Sequence, residues 1–415
     1  MKYLRLALVV FASVAGFAYA QDEERRAPPT EIPDFSNLDE YIYEPKSTAI
    51  FGFRYMSGAK TSFSGQGRIA APENPGPATG IDFDRQYHNG VVGRDQRFVP
   101  RLDGNGDPVR DPEGTQAFDR IAPDGKTNNW TYLDSRQLTG DGFLAFNSYS
   151  ADIVDTATRE KKAMSTAGLE LSVSRDMGKL FGSRVAWNLT AGVSMNDISS
   201  TTTDKVRANL NTLTDYYSLF GQNAPAAPGG SPVTSTETAT DANGVALTNP
   251  DGTAQTINIT TNVLINSEPL GRETTTVTNA TSVTNRWKLK GAYYTFRAGP
   301  TFLVPIGSRF RATFSVGAAL VYAGTTYTVG ESFTPEIGAE ISQLNFDQEI
   351  KVLPGYYADA TLQFDLTDRA GFYAGAIFQS TGSYDQKLET TASSYLTKVD
   401  LSNQNGLRAG MTIRF

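Results

Sequence analysis

Few residues in this chain are placed to do chemistry. There is one histidine, His88, and no cysteine. Thiolate metal sites, disulfides and a cysteine nucleophile are therefore excluded, and a base or metal site would lack a second nitrogen. His88 stands near Asp82 and Asp84 in a loop-like stretch and reads as a surface histidine. Asp103-Gly104-Asn105-Gly106-Asp107 opens like a calcium loop, with oxygen ligands at alternate positions. The match then fails: Pro108 stands where such a loop needs glycine, and Gly114 where it needs a bidentate glutamate. A glycine-rich surface turn explains the stretch. Gly125-Lys126-Thr127 lacks the glycine-rich run that cradles a phosphate, and Pro123-Asp124-Gly125 reads as a turn, like Pro250-Asp251-Gly252. These residues imply no catalytic group, no metal and no cofactor.

Charge narrows the partners. Lys and Arg number 37 against 44 Asp and Glu, a net charge of −7. An acidic chain is a poor general nucleic-acid binder and is disfavoured for docking on an anionic leaflet.

The N-terminus reads as an export leader over residues 1–20. Lys2 and Arg5 supply the charge, Leu6 to Phe17 the apolar run, and Ala18-Tyr19-Ala20 the cleavage site, with Gln21 first in the mature chain. Residues 21–46 are polar and carry Pro28, Pro29, Pro33 and Pro45, which suits an extended periplasmic lead-in. After the leader no apolar run reaches the roughly 18–20 residues of a transmembrane helix.

Beyond the lead-in, apolar and polar residues alternate with period two. Val185, Trp187, Leu189, Ala191, Val193 and Met195 share one face, while Asn188, Thr190, Gly192 and Ser194 take the other. The same pattern marks segments at about 48–57, 167–175, 290–304, 310–322, 356–366, 372–379 and 407–415. One face is apolar with aromatic ends; the other is small, polar or charged. Such dyad repeats of about 9–11 residues are the length of an outer-membrane crossing, where a backbone without water must pair fully. Short joins at 176–184, 305–309 and 367–370 alternate with long ones at 58–166, 196–288, 323–355 and 380–405. The expectation is an all-β, closed antiparallel transmembrane barrel over residues 47–415. It has about eight strands, short periplasmic turns and large external loops, chiefly 58–166 and 196–288. Gly142–Ile153 alternates weakly and is a candidate extra strand. Ile257, Ile259, Val263 and Ile265 suggest that loop flanks extend strands beyond the membrane.

The chain here resembles the small outer-membrane barrels, the OmpA-, OmpX- and OmpW-like group. The likeness lies in architecture and in the chain end, Gly406-Leu407-Arg408-Ala409-Gly410-Met411-Thr412-Ile413-Arg414-Phe415. A terminal Phe415 after alternating apolar residues is similar to the signal that barrel-assembly machinery reads. The resemblance implies the outer membrane as location, reached by the general secretory pathway, with lipid and that machinery as partners.

Five charges fall on polar faces: Arg54, Glu170, Arg297, Asp359 and Arg408. In a narrow interior they should pair, because an unpaired buried charge is costly. The expected function is a non-enzymatic anchor for surface loops. The alternative is a small-solute channel, which needs about ten or more strands, since an eight-stranded interior is filled by its own side chains.

Overall fold

The computed structural model describes residues 46–71, 73–162, 165–180, 184–241 and 245–415. The expected leader, and the lead-in up to residue 45, lie outside them. Among the described residues the chain is all β apart from one 3-10 turn at Ser135–Gln137.

The main sheet holds ten strands: β1 (Ser47–Ser57), β2 (Arg68–Ala70), β3 (Phe143–Ile153), β4 (Thr166–Lys179), β5 (Ala186–Ser218), β6 (Gly271–Pro305), β7 (Phe310–Phe333), β8 (Ile341–Asp365), β9 (Ala370–Ser380) and β10 (Gln404–Arg414). Their order is β4-β1-β10-β9-β8-β7-β6-β5-β3-β2, and β4 pairs in addition with β5. β5 has three partners because of its length. Its lower part pairs with β4, its upper part with β3, and β6 runs along its other edge throughout. The lower end is the one with the joins at 306–309 and 366–369.

The expected fold, a closed barrel of about eight strands of crossing length, is corrected. The sheet has ten strands. β5, β6, β7 and β8 contain 33, 35, 24 and 25 residues, against about 9–11 for one crossing. The weak segment Gly142–Ile153 supplies β3. Five smaller sheets occupy much of what read as loop. One of four strands (Arg159–Lys162, Lys60–Gln66, Ser394–Asp400, Ser383–Glu389) stands beside the upper part of the main sheet.

The long strands escape a simple reading because their apolar face changes sides. On the lower part of β6, Tyr294 and Phe296 are exposed while Thr295 and Arg297 are buried. Above that, the same inward parity turns apolar: Tyr293, Leu289, Trp287 and Val283 are buried. β5 inverts between exposed Met195 and buried Ile198, and β7 between exposed Leu320 and buried Val321, Tyr327 and Val329. On these three adjacent strands the inversion lies at one level, since Tyr294 pairs with Met195 and with Tyr322. β8 departs from the pattern, with Leu344 and Phe346 exposed above it. A search for one constant apolar face ends each strand where the face inverts.

The connections and inward faces build two packed cores. The upper interior is filled by one that includes Phe63, Trp287, Tyr327, Val329, Tyr395 and Val399. Above it the long connections pack on Tyr87, Trp130, Tyr132, Phe146, Tyr217 and Ile265. The buried Arg85 guanidinium ties this cap together, donating to the carbonyls of Pro77, Gly80 and Ser267. Arg272 pairs with fully buried Asp215 at 2.6 Å, and the Tyr87 hydroxyl donates to the same carboxylate.

Candidate functional site

The lower interior is polar because inward positions there are Thr, Ser, Arg, Glu, Asp and Gln. The sheet curls so that strands far apart in its order meet. Glu170 on β4 receives Arg297 of β6 at 3.1 Å and Arg408 of β10 at 2.7 Å. Asp359 on β8 receives Arg408 at 2.8 Å and Arg297 at 3.7 Å. The Tyr373 hydroxyl of β9 also donates to Glu170. Ring faces complete the layer, with Arg408 5.1 Å over Tyr373 and Arg297 5.5 Å over Tyr357. All four charged side chains are buried. In such a place a pair is retained only when its hydrogen bonds are well made.

The structure therefore brings together four of the five charges singled out from the sequence. Arg54 stands apart from the carboxylates. It lies directly opposite Arg408 in the β1–β10 register, and like charges so placed repel. Arg408 turns towards Glu170 and Asp359, while Arg54 donates to Ser194 and, at 3.0 Å, to Gln379. Gln379 continues to Thr295 and Gln404, and Gln404 to the Tyr293 hydroxyl. Tyr373, Gln379, Ser194 and Gln404 were not singled out beforehand. Their signal was parity alone: each occupies the inward phase of its strand.

Below this layer, hydroxyls link Ser174, Thr190, Thr301 and Ser315 at 2.9–3.0 Å. At the lower mouth Asp365 receives Arg311 at 2.6 Å and Arg414 at 2.5 Å. Phe415 ends the chain with its N–H and C=O both bonded to Ser47, and its side chain is exposed.

The other sequence candidates lie elsewhere. His88 is buried, not on the surface as its context suggested. Its Nε2 is 2.6 Å from the Ala339 carbonyl, and its Nδ1 is 3.8 Å from Glu73. Asp84 faces Arg94 instead. Packing of the long connections onto β3 encloses the ring, which a one-dimensional reading does not show. The Asp103 carboxylate accepts the N–H groups of Asp107 and Asn105, which hold it below its usual pKa. Lys126 sits 4.5 Å over the Phe220 ring and Thr127 bonds the Gly93 carbonyl, so neither faces a phosphate cradle.

No family model matches the chain, and no curated protein matches it. Among solved structures it is similar to the outer-membrane protease OmpT of Escherichia coli. Identity is 9%, 89% of this chain and 97% of that one are covered, and the TM-score is 0.26. It is also similar to a FadL homologue of Pseudomonas aeruginosa, at 12% identity, 89% and 90% coverage and a TM-score of 0.17. These comparisons do not place it in the OmpA-, OmpX- and OmpW-like group. At such scores neither likeness assigns an activity, and the reading of the site rests on this chain's own geometry.

Proposed function

We propose that the chain is an outer-membrane β-barrel protein whose lower part spans lipid. Its upper part stands outside as an ordered, capped extension. Its role is that of a non-enzymatic anchor for surface structure, not an open pore. The inversion of the apolar face carries this reading. In water, each large apolar side chain left outside forfeits about 1.5–3 kcal/mol of burial. An apolar band on the outward face of consecutive strands has lipid as its natural solvent. From Val304 up to Tyr294 is ten residues, which at about 3.3 Å each and about 40° of tilt rise roughly 25 Å. That is the height of an outer-membrane apolar band. Aromatic side chains mark both edges: Tyr294 pairs with Tyr322 above, and Phe310 lies 5.1 Å from Phe364 below. On β5, β6 and β7, where the outside becomes water, the outward residues turn polar and the apolar ones turn in.

Two stacked fillings support an anchor over the alternative of a channel. The ion-pair layer of Glu170, Asp359, Arg297 and Arg408 occupies the spanning interior. The apolar core around Trp287 and Tyr327 occupies the interior above it. Export through the general secretory pathway and insertion by the barrel-assembly machinery through Phe415 belong to the same proposal.

The test is flotation of the refolded protein with neutral phosphatidylcholine vesicles, followed by planar-bilayer recording. The expected result is co-flotation without steady conductance. Protein left at the bottom of the gradient would overturn the membrane reading. A steady open conductance would overturn the anchor reading in favour of a channel.

A further inference from the structure

The outward face of β6 above Tyr294 carries Lys290, Lys288 and Arg286 at successive outward positions. Arg286 and Lys290 are exposed and Lys288 is half-buried. Among the described residues, none of the three is engaged in an ion pair or hydrogen bond. Their cross-strand neighbours are hydroxyls or glycine: Ser199, Thr201 and Thr203 on β5, and Thr326, Thr328 and Gly330 on β7. The one carboxylate on the outward run of β5 between Met195 and Thr203 is Asp197, opposite Ala292 and below the row. The whole chain is acidic, so this row is a local reversal of sign. Cations spaced two residues apart on one strand repel until an anion lies along them.

We propose that this row binds the phosphorylated saccharide headgroup of an outer-leaflet glycolipid. The proposal rests on the membrane reading above. Height and length select the ligand. Lys290 is four residues above the aromatic edge at Tyr294, about 13 Å along the strand and roughly 10 Å in height. Arg286 is roughly another 10 Å higher. The polar layer on one side of an ordinary bilayer is only about 5–7 Å deep, so a simple phospholipid meets Lys290 at most. Engaging all three cations takes a headgroup that extends from the membrane with phosphates along its length. The Thr and Ser hydroxyls on either side suit its sugar hydroxyls. Gly330, opposite Arg286, has no side chain of its own, and the exposed Leu344 of β8 borders that position.

The experiment compares the folded full-length protein with a triple Arg286→Ser, Lys288→Ser, Lys290→Ser variant, both checked for heat-modifiable mobility. The probes are lipid A carrying phosphorylated core sugars, the same lipid after phosphatase treatment, phosphatidylglycerol vesicles and inorganic phosphate. The expected result is that the phosphorylated glycolipid binds the unmodified protein about tenfold or more tighter than the variant, and that phosphatase treatment abolishes the difference. Equal binding to both proteins would overturn the proposal. So would equally strong, equally variant-sensitive binding of phosphatidylglycerol or inorganic phosphate. If the triple variant does not fold, Lys290→Ser and Lys288→Ser are measured singly, with a graded loss expected and no loss counting against the proposal. Flotation with neutral vesicles separates the two claims. A protein that floats but ignores the substitutions defeats the headgroup site alone, whereas one that does not float defeats the membrane reading and the site with it.

Discussion

Gly52 lies opposite Glu170 in the β1–β4 register, and the Tyr373 hydroxyl occupies the space that a Gly52 side chain would fill. A Cβ on Gly52 would stand 2.0 Å from that hydroxyl and 2.7 Å from the Ala409 carbonyl. The close approach is what lets Tyr373 cross the interior to the carboxylate. Gly52→Ala should therefore lower stability by about 1–3 kcal/mol, the usual range for overpacking. Combining it with Tyr373→Phe should restore part of the loss. Thermal melts in detergent read both, and a single variant that melts like the parent would contradict the packing described.

Glu170 accepts from two arginines and a tyrosine in a buried layer. Glu170→Gln leaves Arg297 and Arg408 with Asp359 as their only carboxylate among the described residues. Removing one partner of a buried pair typically costs about 3–5 kcal/mol. The expected outcome is a lower melting temperature or a newly measurable conductance. A variant unchanged in both would show that these charges do not hold the interior closed.

Glu331 lies on β7 in the upper, water-facing part. It accepts from Tyr395 and Gln343 but has no cation among the described residues, and burial raises its pKa above the ordinary 4.5. A raised folded-state value means that the fold favours the protonated acid. The corresponding stability is fully present below pH 4.5 and is lost as pH rises through the folded value. Glu331→Gln mimics the neutral acid. It should match the parent near pH 4 and exceed it at pH 8, as read by melts across that range. A constant difference at all pH values would assign the effect to packing instead.

Phe415 extends the β1–β10 pairing through two backbone bonds to Ser47, and its side chain is exposed. Deleting it should strongly reduce the folded, heat-modifiable band in membranes. Undiminished surface yield would remove any special role for the terminal residue.

The long connections are not uniformly open. Residues 60–66 are strand-paired and 130–132 are packed in the cap, while 103–114 is an exposed hairpin tip. Protease added to intact cells should cut near 103–114 and near 245–253, and spare the joins at 306–309 and 366–369. Cleavage only after the outer membrane is opened would reverse the orientation.

Period-two alternation is a local property, because successive strand side chains point to opposite faces whatever the neighbours. The sequence alone therefore determined that this is a β chain, where the lower segments of its strands lie, and which parity of each faces inward. That parity placed Arg54, Glu170, Arg297, Asp359 and Arg408 on the inner side. Three things were decided only by tertiary structure. The first is strand number and length. Above Tyr294 the solvent on the two sides of the sheet changes places, and a pattern tied to one solvent stops there. The second is pairing among the charges. Arg408 and Arg54 face each other in register, and only the curl of the sheet decides which of them reaches the carboxylates. The third is the burial of His88, which depends on connections folding back over β3 from residues distant in the chain.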